Sequence, residues 1–197
     1  MTDVSESEHI ERSAHAGPEA GPVLTPAELY LSLLKQCLTR YLFIEEEFRP
    51  VQARGWRRKL GKPWLDALGK RGVQMGRTGG ERNLRRTGRD WPANAETMTG
   101  LTRLDKLQEC VTNVVARNVP GDLIETGVWR GGSSIFMRGV LAAYGDTSRR
   151  VWVADSFRGL PKPNAELYPS DADIDLSETT ELAVDLQRVK ANFEKYG

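Results

Sequence analysis

The sequence predicts an α/β fold in which helices precede the first strands of a parallel sheet, and two stretches predict it. The first is PGDLIETGVWRGGSS at Pro120–Ser134. A Pro-Gly breaker leads into the short apolar run Leu123–Thr126, and glycines then cluster at Gly127, Gly131 and Gly132. Apolar residues of helical spacing follow at Ile135, Phe136, Val140 and Leu141. Strand, glycine turn and helix in that order open a nucleotide-type α/β unit. Glycine lets backbone approach a ligand closely, and the free N–H groups of the helix start point at it. The second stretch is VWVADSF at Val151–Phe157, an apolar run ending in Asp155. A carboxylate at the tip of the next strand is where such folds hydrogen-bond a ribose.

The glycine spacing is not the dinucleotide fingerprint G-x-G-x-x-G, because Trp129 stands at its second glycine. A bulky residue there argues against a pyrophosphate lying on the turn. On pattern alone two readings stay open: a nucleoside-type ligand, or a tight structural βα turn that holds none.

Composition sets the frame. A chain of 197 residues with net charge +1 is long enough for one domain with a sizeable core. No run of about 18 apolar residues exists, and the N-terminus lacks the basic-then-apolar order of a signal peptide. The expectation is a cytoplasmic protein with no membrane contact. Cys37 and Cys110 read as reduced core thiols within helical patterns.

In chain order, residues 1–24 are expected to be a disordered tail of Ser, Glu, Gly and Ala. His9 and His15 lie in it as solvated side chains rather than metal ligands. Thr25-Pro26-Ala27-Glu28 is a capping-box helix start, and an amphipathic helix is expected over residues 25–48. Leu29, Leu33, Leu34, Cys37 and Leu38 share its apolar face, which either packs on the main domain or forms a homo-oligomer contact.

Residues 49–90 are basic and glycine-rich, and a mobile, solvated insert is expected there. Trp56 and Trp64 among the arginines invite a nucleic-acid reading. The near-neutral chain and the lack of any recognised nucleic-acid motif argue against it, so no nucleic-acid partner is expected. Helical spacing returns over Glu96–Val115. The acids Asp171, Asp173 and Asp175 lack the glycine and terminal Glu of a calcium loop and read as solvated. A last helix is expected at Leu182–Tyr196, with Gly197 at its C-cap.

The literal residues add more. ETGVWRGGSSIFMRGVL followed by VWVADSFRGLPKP resembles the macrocin O-methyltransferase family, the TylF/MycF type. The likeness extends to WPANAETMTGLTRLDKLQECV, to ELAVDLQRVKANFEKYG and faintly to ELYLSLLKQCLTR. It implies a partial Rossmann-like S-adenosylmethionine methyltransferase fold in residues 91–197. It also implies S-adenosyl-L-methionine and Mg2+ as cofactors, and a sugar hydroxyl of a glycosylated natural product as acceptor. By resemblance the cofactor lies on Glu125, Thr126, Gly127, Val128, Trp129, Arg130, Gly131, Gly132, Ser133, Asp155 and Ser156. Glu125 either braces the glycine turn or meets the methionine moiety. Trp91 and Met98 would border the acceptor pocket, and Glu96 stands where relatives commonly carry histidine.

The family's metal-binding acids lie well downstream of its second strand, and nothing before Gly197 matches them. The resemblance therefore implies an N-terminal part that stops short of the metal segment, with the Mg2+ ligands beyond residue 197 and no general base assigned. The alternative is a catalytically silent fragment, a cofactor-binding remnant without turnover.

Overall fold

The computed structural model describes residues 23–50, 63, 67–73, 75–171 and 173–197. Most of the expected tail, with His9 and His15, lies outside these residues, as does the part of the insert holding Trp56 and Trp64. The elements run α1 (Pro26–Leu38), a 3-10 turn (Tyr41–Glu46), β1 (Phe48–Pro50), β2 (Gly76–Thr78), α2 (Arg82–Thr87) and α3 (Leu101–Ala116). Then come β3 (Leu123–Thr126), α4 (Gly132–Ala143), β4 (Val151–Ala154) and α5 (Leu186–Tyr196). No helix among the described residues is long and apolar enough to cross a membrane.

The core is built around α4. Ile135, Phe136, Met137, Val140 and Leu141 are buried there, joined by Leu31, Leu34 and Leu38 of α1 and by Leu104 and Val111 of α3. A helix apolar on most of its circumference needs neighbours on several sides, and α4 has α1, α3 and the strands. Each fully buried side chain of this kind contributes about 1.5–3 kcal/mol. Gly139 permits the tight crossing with α1, since a Cβ there would lie 2.4 Å from Leu34 Cδ2.

The strands fall where the sequence places them. β3 and β4 are parallel and in register, with Leu123 opposite Val151 and Thr126 opposite Ala154. Leu123 and Val151 pack on the core, while Ile124, Trp152 and Val153 stay exposed.

Several expectations need correction. The single helix over residues 25–48 ends at Leu38: Arg40 turns left-handed at φ 53°, and the chain continues as a 3-10 turn and then β1. The capping box forms, with Thr25 N–H donating to Glu28 at 2.7 Å, but the buried stripe is Leu31, Leu34 and Leu38. Leu29 and Leu33 are 55% and 54% exposed, so the expected face had merged two neighbouring stripes.

The basic segment is not uniformly solvated either. β1 pairs antiparallel with β2, and α2 carries Arg85 into the interior.

Another correction concerns α3, which begins at Leu101 rather than near Glu96. Residues before it are drawn out by other bonds: the Glu96 and Thr97 N–H groups donate to the Leu38 carbonyl at 3.0 and 3.3 Å. Gly100 also packs backbone on backbone with Gly88, where a Cβ would stand 2.2 Å from the Gly88 nitrogen. The last helix likewise starts late, at Leu186, where Asp185 accepts the Arg188 N–H at 2.8 Å. Finally, Cys110 is exposed on α3 and is no core thiol, whereas Cys37 is half-buried.

Candidate functional site

The site grows from the C-terminal ends of two parallel strands. β3 ends at Thr126 and the chain turns through Gly127 (φ 81°), Trp129 (φ 49°) and Gly131 (φ 87°) before entering α4. A left-handed tryptophan is an outlier for a bulky residue, and such strain persists where the surroundings impose it. Here they do. The Trp129 indole N–H donates to the Glu181 carbonyl at 2.8 Å, and the Arg130 guanidinium lies 4.2 Å from its ring centre.

Each sequence-predicted residue has a defined place. Glu125 is half-buried at the end of β3 and accepts the Ser134 hydroxyl, so it braces the glycine turn. Burial pushes its carboxyl up from the usual range and the nearby Asp155 charge adds to this, against opposing hydrogen bonds from Ser134 and Ser133. Thr126 and Gly127 are exposed, and a Cβ at Gly127 would meet nothing within 4 Å, which leaves an open cradle above the turn. Val128 is buried. Gly131 and Gly132 are closed in from behind: a Cβ would sit 2.9 Å from Phe193 at the first and 2.6 Å from Thr97 at the second.

Asp155 sits at the tip of β4 and faces the turn. One carboxylate oxygen accepts the Val128 N–H and the other the Phe157 N–H, both at 2.7 Å. Ser156 shapes the following loop, its hydroxyl donating to the Gly159 carbonyl at 3.2 Å. Arg130 clamps residues 92–95: its Nη1 donates to the carbonyls of Pro92, Ala93 and Ala95 at 3.3, 2.9 and 2.9 Å. Trp91, next in the chain to the clamped Pro92, is 54% exposed. Met98 is half-buried, and its carbonyl faces Gly88.

Glu96 is buried and meets the last helix. It accepts from Lys195 Nζ at 3.2 Å and from the Tyr196 hydroxyl at 3.3 Å, while its carbonyl accepts the Gly132 N–H at 3.0 Å. Burial, with the Glu96 charge beside it, pushes the Tyr196 hydroxyl far above its ordinary value. Asn192 completes the joint by donating to the Arg130 carbonyl at 2.9 Å. Sequence reasoning missed Asn192, Glu47 and Arg85. Apart from Asp90, five residues from Arg85, their partners outside their own helices are tens of residues away, and no spacing pattern carries that signal.

A parallel strand pair, a glycine turn left open at Gly127 and an acid on the next strand tip define a Rossmann-like domain of the methyltransferase type. Comparison with known proteins agrees. The chain belongs to the macrocin O-methyltransferase (TylF) family, whose model matches residues 27–197. It is 48% identical over 171 residues to an 8-demethyl-8-(2,3-dimethoxy-alpha-L-rhamnosyl)-tetracenomycin-C 4'-O-methyltransferase of Streptomyces olivaceus, covering 86% of this chain and 57% of that one. It is 50% identical over 114 residues to the demethyldecarbamoylnovobiocin O-methyltransferase of Streptomyces niveus, covering 57% of this chain and 44% of the relative. Among solved structures, the O-methyltransferase NovP superposes with a TM-score of 0.68 at 37% identity, over 86% of this chain and 59% of that one. The matches thus span 57% of the first relative, 44% of the second and 59% of NovP.

Proposed function

We propose that this chain carries the donor-binding part of an S-adenosylmethionine-dependent O-methyltransferase acting on a sugar hydroxyl of a glycosylated natural product. The observation that carries the reading is the open cradle at Gly127 between Glu125 and Asp155, at the ends of two parallel strands. S-Adenosylmethionine, when bound, supplies a methyl group made electrophilic by its sulfonium. The chain's own residues do the positioning. Gly127 lets the donor approach backbone, and Asp155 keeps lone pairs for ribose hydroxyls beyond the two N–H groups it accepts. Trp129 and Arg130 form a rigid wall, Ser133 and Ser156 flank the turn, and Trp91 offers an exposed aromatic face for the acceptor.

Magnesium assistance is the finer expectation that the resemblance carries. Among the described residues no group of three or more His, Cys, Asp or Glu is placed to hold a metal, so no step is assigned through one. The relatives' names support the acceptor class, since one of them acts on a rhamnosyl-tetracenomycin. The exposed stripe of Leu29, Tyr30 and Leu33 on α1 supports the homo-oligomer contact that its sequence suggests.

Calorimetry of the full chain with S-adenosylhomocysteine is the direct test. Saturable one-site binding is expected, and its absence would overturn the donor-site reading. Transfer of labelled methyl to a glycosylated acceptor, with and without magnesium, separates an active enzyme from a silent cofactor-binding remnant.

A further inference from the structure

The candidate donor turn leans on residues 92–97, and those residues are held from behind by a buried ion triad. Arg85 of α2 is 2% exposed and Glu47 is fully buried. The Arg85 guanidinium spends its fork on three partners: Nε donates to Asp90 at 2.7 Å, Nη1 to the Thr39 carbonyl at 2.7 Å, and Nη2 to Glu47. The other Glu47 oxygen accepts the Ala93 N–H at 2.6 Å. Burial pushes the Glu47 carboxyl up, but Arg85 and the Ala93 and Asn94 N–H groups outweigh it and hold it below the usual range.

The same short segment is bonded to the turn from the opposite side. Arg130 Nη1 takes the Ala93 and Ala95 carbonyls, and the Gly132 N–H takes that of Glu96. Ala93 is thus a shared joint, its N–H fixed by Glu47 and its carbonyl by Arg130. Buried ion clusters are poor value as stability when compared with apolar packing. One this complete, in a segment otherwise basic and glycine-rich, points to register. We propose that the Glu47–Arg85–Asp90 triad is a positioning device for the donor site. It fixes residues 92–97, and through Arg130 and Gly132 it sets the shape of the Gly127–Gly132 turn. The proposal rests on reading that turn as the donor site. The triad itself is assigned no contact with donor or acceptor.

The test uses the full chain with 15N-labelled tryptophan indoles, the Trp129 signal being assigned by Trp129→Phe. The Trp129 indole reports on the turn through its bond to the Glu181 carbonyl and its stacking with Arg130. The Trp152 indole, bonded to Asp122 at 2.8 Å, is the internal reference. Glu47→Gln and Arg85→Met should displace the Trp129 signal and leave Trp152 in place. Arg85→Lys keeps the charge without the fork and should fall between. The variants should also bind S-adenosylhomocysteine about tenfold more weakly, as for one mispositioned hydrogen bond. If Arg85→Met does not fold, Glu47→Gln and Arg85→Lys carry the measurement. A folded Glu47→Gln chain with a lowered melting point but an unmoved Trp129 signal makes the triad merely structural and overturns the proposal. A moved Trp129 signal in a chain whose wild type binds no S-adenosylhomocysteine keeps the positioning and overturns the donor-site reading instead.

Discussion

Asp155 accepts the backbone N–H of Val128 at 2.7 Å, so the acid at the tip of one strand is bonded into the glycine turn that follows its neighbour. The residue expected to meet the ribose therefore also shapes the surface on which the donor would lie. Asp155→Ala should weaken S-adenosylhomocysteine binding by about 1.5–3 kcal/mol, as for a lost hydrogen bond to a charged group. Asp155→Asn keeps an acceptor oxygen and should lose less. Calorimetry decides, and an unchanged affinity in the alanine variant takes Asp155 out of the site.

The glycines of the turn should separate into two kinds. At Gly127 a new Cβ meets open space, so alanine costs the left-handed backbone strain alone, about 1–2 kcal/mol. At Gly132 the Cβ would meet Thr97 Cβ at 2.6 Å and the Glu96 backbone at 2.7 Å, neither of which is a flexible chain end. Gly132→Ala should therefore lose about 1–3 kcal/mol by overpacking, at a position whose φ is ordinary. Urea unfolding measures both losses. Affinity for S-adenosylhomocysteine should fall in Gly127→Ala, where the new methyl enters the cradle. A Gly132→Ala chain as stable as wild type would show that residues 92–97 yield easily.

How much of this could be read from the sequence depends on how local each signal was. β3, β4 and the glycine turn are set by neighbours in the chain, and their bounds match the apolar runs around Pro120–Gly121 and Asp155. The capping box at Thr25 is equally local. The start of α3 is not, because Glu96 and Thr97 are held by Leu38, far back in the chain, and that bond defeats a helical pattern that is real in the side chains. Arg85 is one arginine among many in a basic run. Nothing in its surroundings marks it as the one whose charge Glu47 and Asp90 bury. Arg130 lies in the glycine turn, as its place in the sequence requires, but its bonds to the carbonyls of Pro92, Ala93 and Ala95 span long stretches of chain and leave no local pattern.

Glu125 makes stability depend on pH in a direction opposite to that of a salt-bridged acid. Burial first, and then the Asp155 charge, raise its folded pKa above the unfolded value. The native state therefore holds the proton more tightly, and stability is full below the ordinary carboxylate range and falls as pH climbs through the raised value. Glu125→Gln keeps an acceptor for the Ser134 hydroxyl and removes the titration. Its urea midpoint should rise relative to wild type between about pH 4 and pH 7, the span above an unperturbed glutamate. A constant difference across that range would place the carboxylate in an environment as wet as the unfolded chain.

The basic residues between Arg49 and Arg89 should bind nucleic acid without sequence preference. Arg85 is already neutralised inside the fold, which leaves a dispersed charge to meet phosphates. Association should be weak and should drop steeply with salt. Tight binding to one DNA or RNA sequence at physiological salt, in a fluorescence anisotropy titration, would contradict this.

The exposed apolar residues of the sheet set the solution behaviour of the chain. Ile124, Trp152 and Val153 are 62%, 51% and 39% exposed, and among the described residues β3 and β4 pair with each other and with no third strand. Two adjacent strands with apolar side chains in water and free backbone donors and acceptors on their outer edges form a template for another chain. Expressed as Met1–Gly197, the protein should bind an apolar dye and self-associate as concentration rises. Ile124→Thr with Val153→Thr keeps β-branched side chains suited to a strand while removing apolar surface. The double variant should bind less dye and stay monomeric to higher concentration by light scattering. Its helix content should be unchanged, because neither position belongs to the buried cluster around α4. A wild-type chain that stays monomeric and dye-free at high concentration would mean that these residues are covered in solution by residues outside those described.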